Sequence, residues 1–401
     1  MTSALQPQKT KFNRHLIIIF IIMFTEVLGF SMVLPIIPFL GLSLGLNAFE
    51  IGLIMSIFSF SQLFASPITG KLSDHFGRKP ILLISQISTL IGFVLLGFAS
   101  SVWLLVAARL VDGLIGSNMT VSQAYISDVT SPQDRTKIYG YSSAVFGAGL
   151  IFGPVIGGTL STINYSIPMF LAALISLISI ILVILFLPES LLLKREKIKI
   201  KFNDIVPINE AKHFFKEPNV RKLLLLFFIY SLGFMLFISS FPLFAEQQVH
   251  VTAQEVGFLI TWIGILRVIF QILLINPLQK KFGENSVLSI GIISMVFTMV
   301  ILVFTTDYIF AYFPLIFIAL GTGVCRPILT SKLTKSINKE ETGSILGVNN
   351  ALSSIAQIIA PILGGAFIQY FPSFFLPALS ATFFIILFFQ WIKGSKIKLK
   401  N

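Results

Sequence analysis

The sequence predicts an all-α membrane protein with twelve transmembrane helices arranged as two six-helix repeats. Three observations carry that expectation. Hydrophobic residues make up 55% of the 401 positions and charged residues only 11%, against roughly 25% charged in soluble domains. The apolar residues gather into twelve runs, each near the length of about 20 residues that a helix needs to cross a bilayer. Landmarks of the first half also recur in the second half at a nearly constant offset.

In order, the runs lie near 15–40, 50–70, 80–99, 102–124, 138–161 and 166–187, then 222–245, 255–275, 287–306, 308–331, 344–369 and 373–392. They are numbered spans 1 to 12. The first run is too long for a signal-peptide core and lacks a small-residue cleavage site, so it is expected to stay as a helix. The polar stretch 188–221 opens with Leu187-Pro188-Glu189-Ser190 and holds nine Lys and Arg when Lys222 at its edge is counted. It divides the chain into an N-terminal six-helix bundle (1–187), a linker (188–221) and a C-terminal six-helix bundle (222–401).

Orientation follows from the cations. Of the 29 Lys and Arg, only Arg109, Arg267 and Arg326 lie inside spans. Every other one falls in the tails or in loops on one side, which the positive-inside rule makes cytoplasmic. Both termini are therefore expected in the cytoplasm. The net charge of +12 then reflects topology and contact with anionic lipid, and a nucleic-acid partner is not expected. A lone cysteine, Cys325, lies in an apolar run and excludes a disulfide framework.

The repeat is visible residue by residue. Asp134 to Gly140 aligns with Glu341 to Gly347 at an offset of 207, which also takes Pro154 to Pro361 and Gly157-Gly158 to Gly364-Gly365. Glu50-Ile51-Gly52 meets Glu255-Val256-Gly257 at 205, and Phe76-Gly77 meets Phe282-Gly283 at 206. Two six-span repeats of one orientation suggest a transporter with its site at midplane between the halves.

Between spans 2 and 3 lies Gly70-Lys71-Leu72-Ser73-Asp74-His75-Phe76-Gly77-Arg78-Lys79. So short a polar stretch between apolar helices reads as a tight hairpin loop, turned by Gly70 and Gly77, which tolerate positive φ. Asp74 is the odd residue, since acids contribute little to topology. In span 5, Gly149, Gly153 and Gly157 recur every four residues, with Pro154 and Gly158 among them. Such spacing lets helices approach closely, and the proline kinks the helix.

Charges inside the bilayer cost roughly 2.5–3.5 kcal/mol on insertion scales, so each faces a cavity or a partner. Glu26 in span 1 lies near midplane and is the best-placed protonatable group. It is either a proton or cation site or half of a structural ion pair. Arg109 and Asp112 of span 4 are three residues apart on one face; they pair with each other, or Arg109 biases the protonation of a cavity acid. Arg267 and Arg326 have three open readings: pairing with Glu26, an anionic group on a substrate, or carbonyls of neighbouring helices. Further cavity candidates are Asn118, Gln123, Phe234, Phe241, Trp262, Asn349, Asn350 and Gln357. No histidine lies deep in a span, and no metal-ligand spacing, phosphate-binding loop or nucleophile elbow is present. No cofactor, metal or catalytic residue is expected, and energy must come from an ion gradient or the substrate's own gradient.

Taken together, these stretches resemble the major facilitator superfamily. Gly70 to Lys79 is similar to its motif A, Arg109-Leu110-Val111-Asp112-Gly113 to motif B, and Gly149 to Gly158 to motif C, the antiporter signature. Ala124 to Thr130 followed by Asp134-Arg135 resembles the loop after span 4 in the tetracycline-efflux-like branch of drug:proton antiporters. Glu26-Val27-Leu28-Gly29 through Pro35 and Pro38 resembles that branch's first span. The resemblance implies that Asp74 caps span 11 near Gly343-Ser344 and that Arg78 pairs with Asp128, a latch that closes the cytoplasmic side when the protein faces outward. The second-half copy, Lys280 to Asn285, lacks the acid at the matching place, so the latch is expected on one side only. Asp112 stands where motif B usually carries glutamine, and the C-half spans hold no acid except Glu246 and Glu255 at their external ends; two arginines there lean toward anionic, zwitterionic or metal-chelate substrates. The expected protein is a multi-pass plasma-membrane exporter of small amphipathic molecules or drugs, proton-coupled and monomeric. An exporter or facilitator of an endogenous metabolite or lipid precursor is the alternative on the same fold, and a membrane sensor or intramembrane enzyme is the rival from another class.

Overall fold

The computed structural model describes residues 14–116, 118–131, 134–191, 207–338 and 341–393. Linker residues 192–206 and the tail lysines Lys9, Lys11, Lys396, Lys398 and Lys400 lie outside these. Among the described residues, twelve helices are long and apolar enough to cross a membrane: His15–Val33, Ala48–Phe76, Arg78–Gly97, Val102–Val129, Lys137–Ser161, Ser166–Phe186, Pro218–Val249, Ala253–Leu273, Ile275–Val303, Tyr308–Lys335, Thr342–Tyr370 and Phe375–Lys393. They keep the numbers 1 to 12.

The differences from the expected boundaries have local causes. Span 1 stops at Val33, and a separate short helix, Ile36–Ser43, follows, because Pro35 has no N–H to continue the ladder. Span 2 runs through Gly70 to Phe76 without a break. The expected turn at Gly70 is therefore corrected: Gly70 is helical, with its carbonyl accepting from Ser73 Oγ at 2.7 Å. Gly77 alone makes the corner, at φ 109°. The expected loop after span 4 is likewise helix as far as Val129. Span 4 instead breaks in its middle, after Ile115, where the Gly116 N–H still reaches the Asp112 carbonyl at 2.8 Å.

Packing repeats between the halves. Span 1 packs on spans 5 and 6, span 2 on 4, and span 3 on 4 and 6; spans 7 to 12 repeat every one of these pairs. The two bundles meet chiefly where span 2 crosses span 11 and span 5 crosses span 8. These crossings explain the paired glycines and prolines of the sequence. A Cβ on Gly257 would collide with the Pro154 carbonyl, and one on Gly158 with the backbone of Ala253 and Gln254. In the other crossing, a Cβ on Gly52 would collide with the Pro361 carbonyl and one on Gly365 with that of Ala48. The helices thus touch backbone to backbone, which only glycine permits. Thr261 Oγ1 donates to the Ile151 carbonyl at 3.0 Å across one crossing, and across the other Ser56 Oγ donates to the Ile358 carbonyl at 2.7 Å and the Ala48 N–H to Gln369 Oε1 at 3.3 Å.

Both crossings lie at one end of the molecule, beside the starts of spans 2 and 8. Matching capping boxes, Asn47 with Glu50 and Thr252 with Glu255, fix those starts. At the opposite end Gly140, Gly343 and Gly347 have open space where a Cβ would stand. The halves are sealed at one end and parted at the other. A short amphipathic helix, Ile208–Lys216, lies at the parted end and packs on spans 7 and 11 with Phe214 buried.

Candidate functional site

Five polar side chains from three helices meet in the N-terminal bundle. Glu26 of span 1 is partly exposed and accepts from Asn118 Nδ2 of span 4 at 2.8 Å. The same Nδ2 donates to Thr89 Oγ1 of span 3 at 3.1 Å, and Thr89 Oγ1 lies beside the Asp112 carboxylate, both within 3.0 Å of where a Cβ on Gly116 would stand. Arg109 Nη2 stands 3.7 Å from Asp112 Oδ2. That distance makes an ion pair without a hydrogen bond, and Arg109 Nε and Nη2 find no acceptor. The guanidinium also lies 5.6 Å from the centre of the Phe58 ring, a favourable cation–π distance. Arg109, Asp112, Asn118 and Thr89 are all at least 95% buried. Glu26 is the end of this chain that meets solvent-accessible space.

The break in span 4 falls between these residues: Asp112 stands before it and Asn118 begins the helix that follows. Gly92 makes room for Asp112, whose Cβ would meet any side chain placed there.

A second constellation sits at the corner between spans 2 and 3. Arg78 is 7% exposed and joins three groups: Asp74 Oδ1 at 2.6 Å, Asp128 Oδ2 at 2.9 Å and Ser73 Oγ at 2.6 Å. Glu189 follows span 6 and caps span 3 from outside, accepting from the backbone N–H of Arg78 at 2.8 Å and of Lys79 at 3.1 Å. A carboxylate at a helix N-terminus is favoured by the free amides and the dipole. Ser190 Oγ donates to Asp128 at 3.0 Å and Tyr125 Oη to the Pro188 carbonyl at 3.1 Å. Asp74 faces Arg78 here, while Gly343 at the start of span 11 stands in open space.

The corner between spans 8 and 9 carries its own network. Gly283 turns it at φ 77°. Glu284 meets Lys335 at 2.9 Å and Lys332 at 3.8 Å. Lys332 also donates to Asn285 Oδ1 at 2.6 Å and lies 5.2 Å from the centre of the Trp391 ring. The place matching Asp74 holds Lys280, as the sequence indicates, and the acid of this corner, Glu284, stands at the place matching Arg78.

The Major Facilitator Superfamily model matches residues 19–249 and 223–401. The chain belongs to the Major Facilitator Superfamily. It is 29% identical over 356 residues to the class C tetracycline resistance protein of Escherichia coli, covering 88% of this chain and 89% of that one. It is 30% identical over 362 residues to multidrug resistance protein 1 of Bacillus subtilis (strain 168), covering 88% and 90%. A solved structure of the nucleoside transporter NupG (a point mutant) superposes with TM-score 0.79 at 13% identity, covering 95% of this chain and 100% of the other, which shows the shared fold. The protein is a multi-pass plasma-membrane transporter and not an enzyme.

The transporter distributes the remaining candidates unevenly. Gly149, Gly153 and Gly157 all face span 1, against Val27, Ser31 and Met32. Ser31 Oγ, beside Gly153, donates to the Gly149 carbonyl at 2.8 Å. Pro154 and Gly158 face span 8. Phe241 is corrected from cavity to core, at 1% exposed, with ring centres of Phe237 and Phe244 5.1 and 6.3 Å away. Trp262 is engaged in packing, its Nε1 donating to the Tyr312 carbonyl at 3.2 Å. Asn349 is buried with Oδ1 unpartnered among the described residues, while Asn350 and Gln123 are exposed and Gln357 is partly exposed. Phe234 stacks on Tyr230 with centres 6.3 Å apart. Arg326 is exposed and Arg267 partly so. Neither pairs with Glu26.

Sequence reasoning missed Thr89, Phe58, Ser73, Glu189 and Glu284. Glu189 carried a signal: a carboxylate directly after a span-ending proline is poised to cap a neighbouring helix. Thr89 carried none, being one hydroxyl in an apolar run.

Proposed function

We propose that this transporter is a proton-coupled exporter of small amphipathic molecules working by alternating access. The observation that carries the reading is the charge count of the buried cluster. Glu26 and Asp112 supply two carboxylates and Arg109 one cation. A membrane interior disfavours the remaining negative charge, and Glu26, at the accessible end, is the group a proton can neutralise. The polar chain through Asn118 and Thr89 lets that event reach Asp112 and the broken helix of span 4. Cations that crowd one side support cytoplasmic termini. In that orientation the parted end faces the cytoplasm, so the structure corresponds to an inward-facing state. Asp74 would leave Arg78 and cap span 11 on closure. The drug-resistance relatives support efflux as the direction of transport.

The test is proton flux in liposomes carrying a pH-sensitive dye, with an imposed gradient and a panel of tetracyclines, quinolones, dyes and anionic amphiphiles. Substrate-dependent flux is expected in the wild type and is lost in Glu26→Gln, which still binds substrate. Flux unchanged in Glu26→Gln would remove Glu26 from coupling, and transport with no proton movement would overturn antiport.

A further inference from the structure

Arg267 and Arg326 are the charged groups that the proton-coupling reading leaves unused. Arg109 has Asp112 beside it. Among the described residues, the carboxylates of the C-terminal bundle, Glu246, Glu255, Glu284, Asp307 and Glu341, sit at helix ends, and those with ion pairs serve Lys332, Lys335 and His213. Among the described residues neither Arg267 nor Arg326 has a carboxylate partner. Cations inside a span without one must face a watery cavity or an incoming charge, and the exposure of Arg326 fits that need.

The fold also brings the two arginines together. Spans 8 and 10 pack side by side. At their crossing the aliphatic stem of Arg267 lies against Gly323, 3.8 Å from where a Cβ would stand. Arg326 follows Gly323 by three residues and so shares its face. Both guanidinium groups lie within electrostatic range of the Tyr230 hydroxyl on span 7, and of each other. Two cations in mutual range repel, and a shared anion is what relieves them. Guanidinium forks match carboxylate and phosphate oxygens in pairs. The Tyr230 ring stacks nearly parallel to Phe234, at 7°, adding an aromatic wall beside the cations. The repeat offset of 207 carries Arg326 back to Met119, next to Asn118, and Tyr230 back to Met23, one turn from Glu26. The arginines thus occupy in one bundle the depth that the acidic cluster occupies in the other.

We propose that Arg267, Arg326 and Tyr230 form an anion-binding subsite that takes the carboxylate, sulfonate or phosphate of an amphipathic ligand, with Phe234 against its apolar body. The claim that this ligand is cargo rests on the exporter reading; its binding does not. The experiment is equilibrium dialysis of 2-naphthoate against full-length transporter in detergent, with 2-naphthyl-trimethylammonium as the cation of the same ring. The naphthoate binds the wild type at least about tenfold more tightly than the cation. Arg267→Gln and Arg326→Gln each lose about tenfold, the scale of one charge-assisted hydrogen bond. Arg326→Lys, which keeps the charge and loses the fork, loses less than Arg326→Gln, and Tyr230→Phe loses less than either glutamine variant. Melting temperatures near wild type establish that the variants are folded. Glu26→Gln keeps naphthoate binding, so a failure of proton coupling and a failure of the anion site read out separately. Displacement of naphthoate by micromolar lysophosphatidylglycerol assigns the site to a lipid headgroup, and its absence assigns it to soluble acids. Equal or tighter binding of the cation, or glutamine variants that are folded and bind naphthoate as the wild type does, overturns the proposal.

Discussion

The two hairpin corners of this transporter occupy the same place in the repeat and carry opposite charge. In the N-terminal bundle a buried cation, Arg78, reaches Asp128 at the end of span 4. In the C-terminal bundle an acid, Glu284, reaches Lys332 and Lys335 at the end of span 10. The offset of 206 takes Arg78 to Glu284, and takes Asp128 to Thr334 between the two lysines. The fold therefore demands an ion pair tying the third helix of each bundle to the fourth, and leaves its polarity free. What differs is the surplus. The N-terminal corner has a further acid, Asp74, plus the Glu189 cap on the Arg78 backbone. The C-terminal corner has a second lysine and an aromatic platform instead. Only the first holds an acid with somewhere else to go.

What the bundles share breaks hardest. The seams at Gly52–Pro361 and Gly257–Pro154 are related by the repeat and have no room for a Cβ. Gly52→Val and Gly257→Val should therefore each reduce transport to background, and to a similar degree. A large loss in one and none in the other, in a liposome uptake assay, would show that the seal is one-sided. Gly343→Ala, at the parted end, should cost far less in the same assay.

The corners should then separate. Removing one partner of a buried pair costs about 3–5 kcal/mol, and Arg78 is 7% exposed with three partners. Arg78→Ala should lower the melting temperature sharply and leave Asp74 and Asp128 facing each other. Lys335 is 54% exposed, and the buried Lys332 stands 3.8 Å from Glu284 and keeps its hydrogen bond to Asn285, so Glu284→Ala should cost less, about 1 kcal/mol as exposed pairs do. Similar shifts for the two variants would mean that burial does not distinguish the corners.

Much of this was legible in the sequence because repeats and glycines are local signals. Twelve apolar runs, the offset between halves and the glycine spacing of span 5 all report on backbone packing. Glu26, Arg109 and Asp112 stood out because charge within an apolar run is costly. Other features were hidden for physical reasons. Gly70 looked like a turn, yet nothing between Gly70 and Phe76 prevents helix, and only the position outside the helix, Gly77, needs positive φ. Thr89 and Asn118 matter through partners on other helices, which no spacing along one helix reveals. Phe241 shows the converse: among 41 phenylalanines, packing claims most, and neither type nor position separates core from cavity. The polarity swap at Glu284 escaped a search for the acid at the position equivalent to Asp74, because the repeat conserves the pair and not its sign.

The finest distinction is whether polarity can be exchanged. Glu284→Lys with Lys332→Glu restores attraction across the same gap, and Lys335 still finds the new acid one turn away. The double variant should melt within about 0.5 kcal/mol of the wild type, with each single variant worse than the pair, the signature of direct coupling. Arg78→Glu with Asp128→Arg should not recover. The carboxylate introduced in place of Arg78 would face Asp74 one turn away on the same side of the corner, and its backbone would still be held by Glu189. Like charges at that spacing repel, and the guanidinium introduced in place of Asp128 can satisfy only part of the acidic surplus. Rescue in the C-terminal corner without rescue in the N-terminal one would mean that Asp74 and Glu189, rather than the Arg78–Asp128 pair, set the sign of that corner. Equal rescue in both would reduce Asp74 to a solvated acid and remove the physical basis for its moving to span 11.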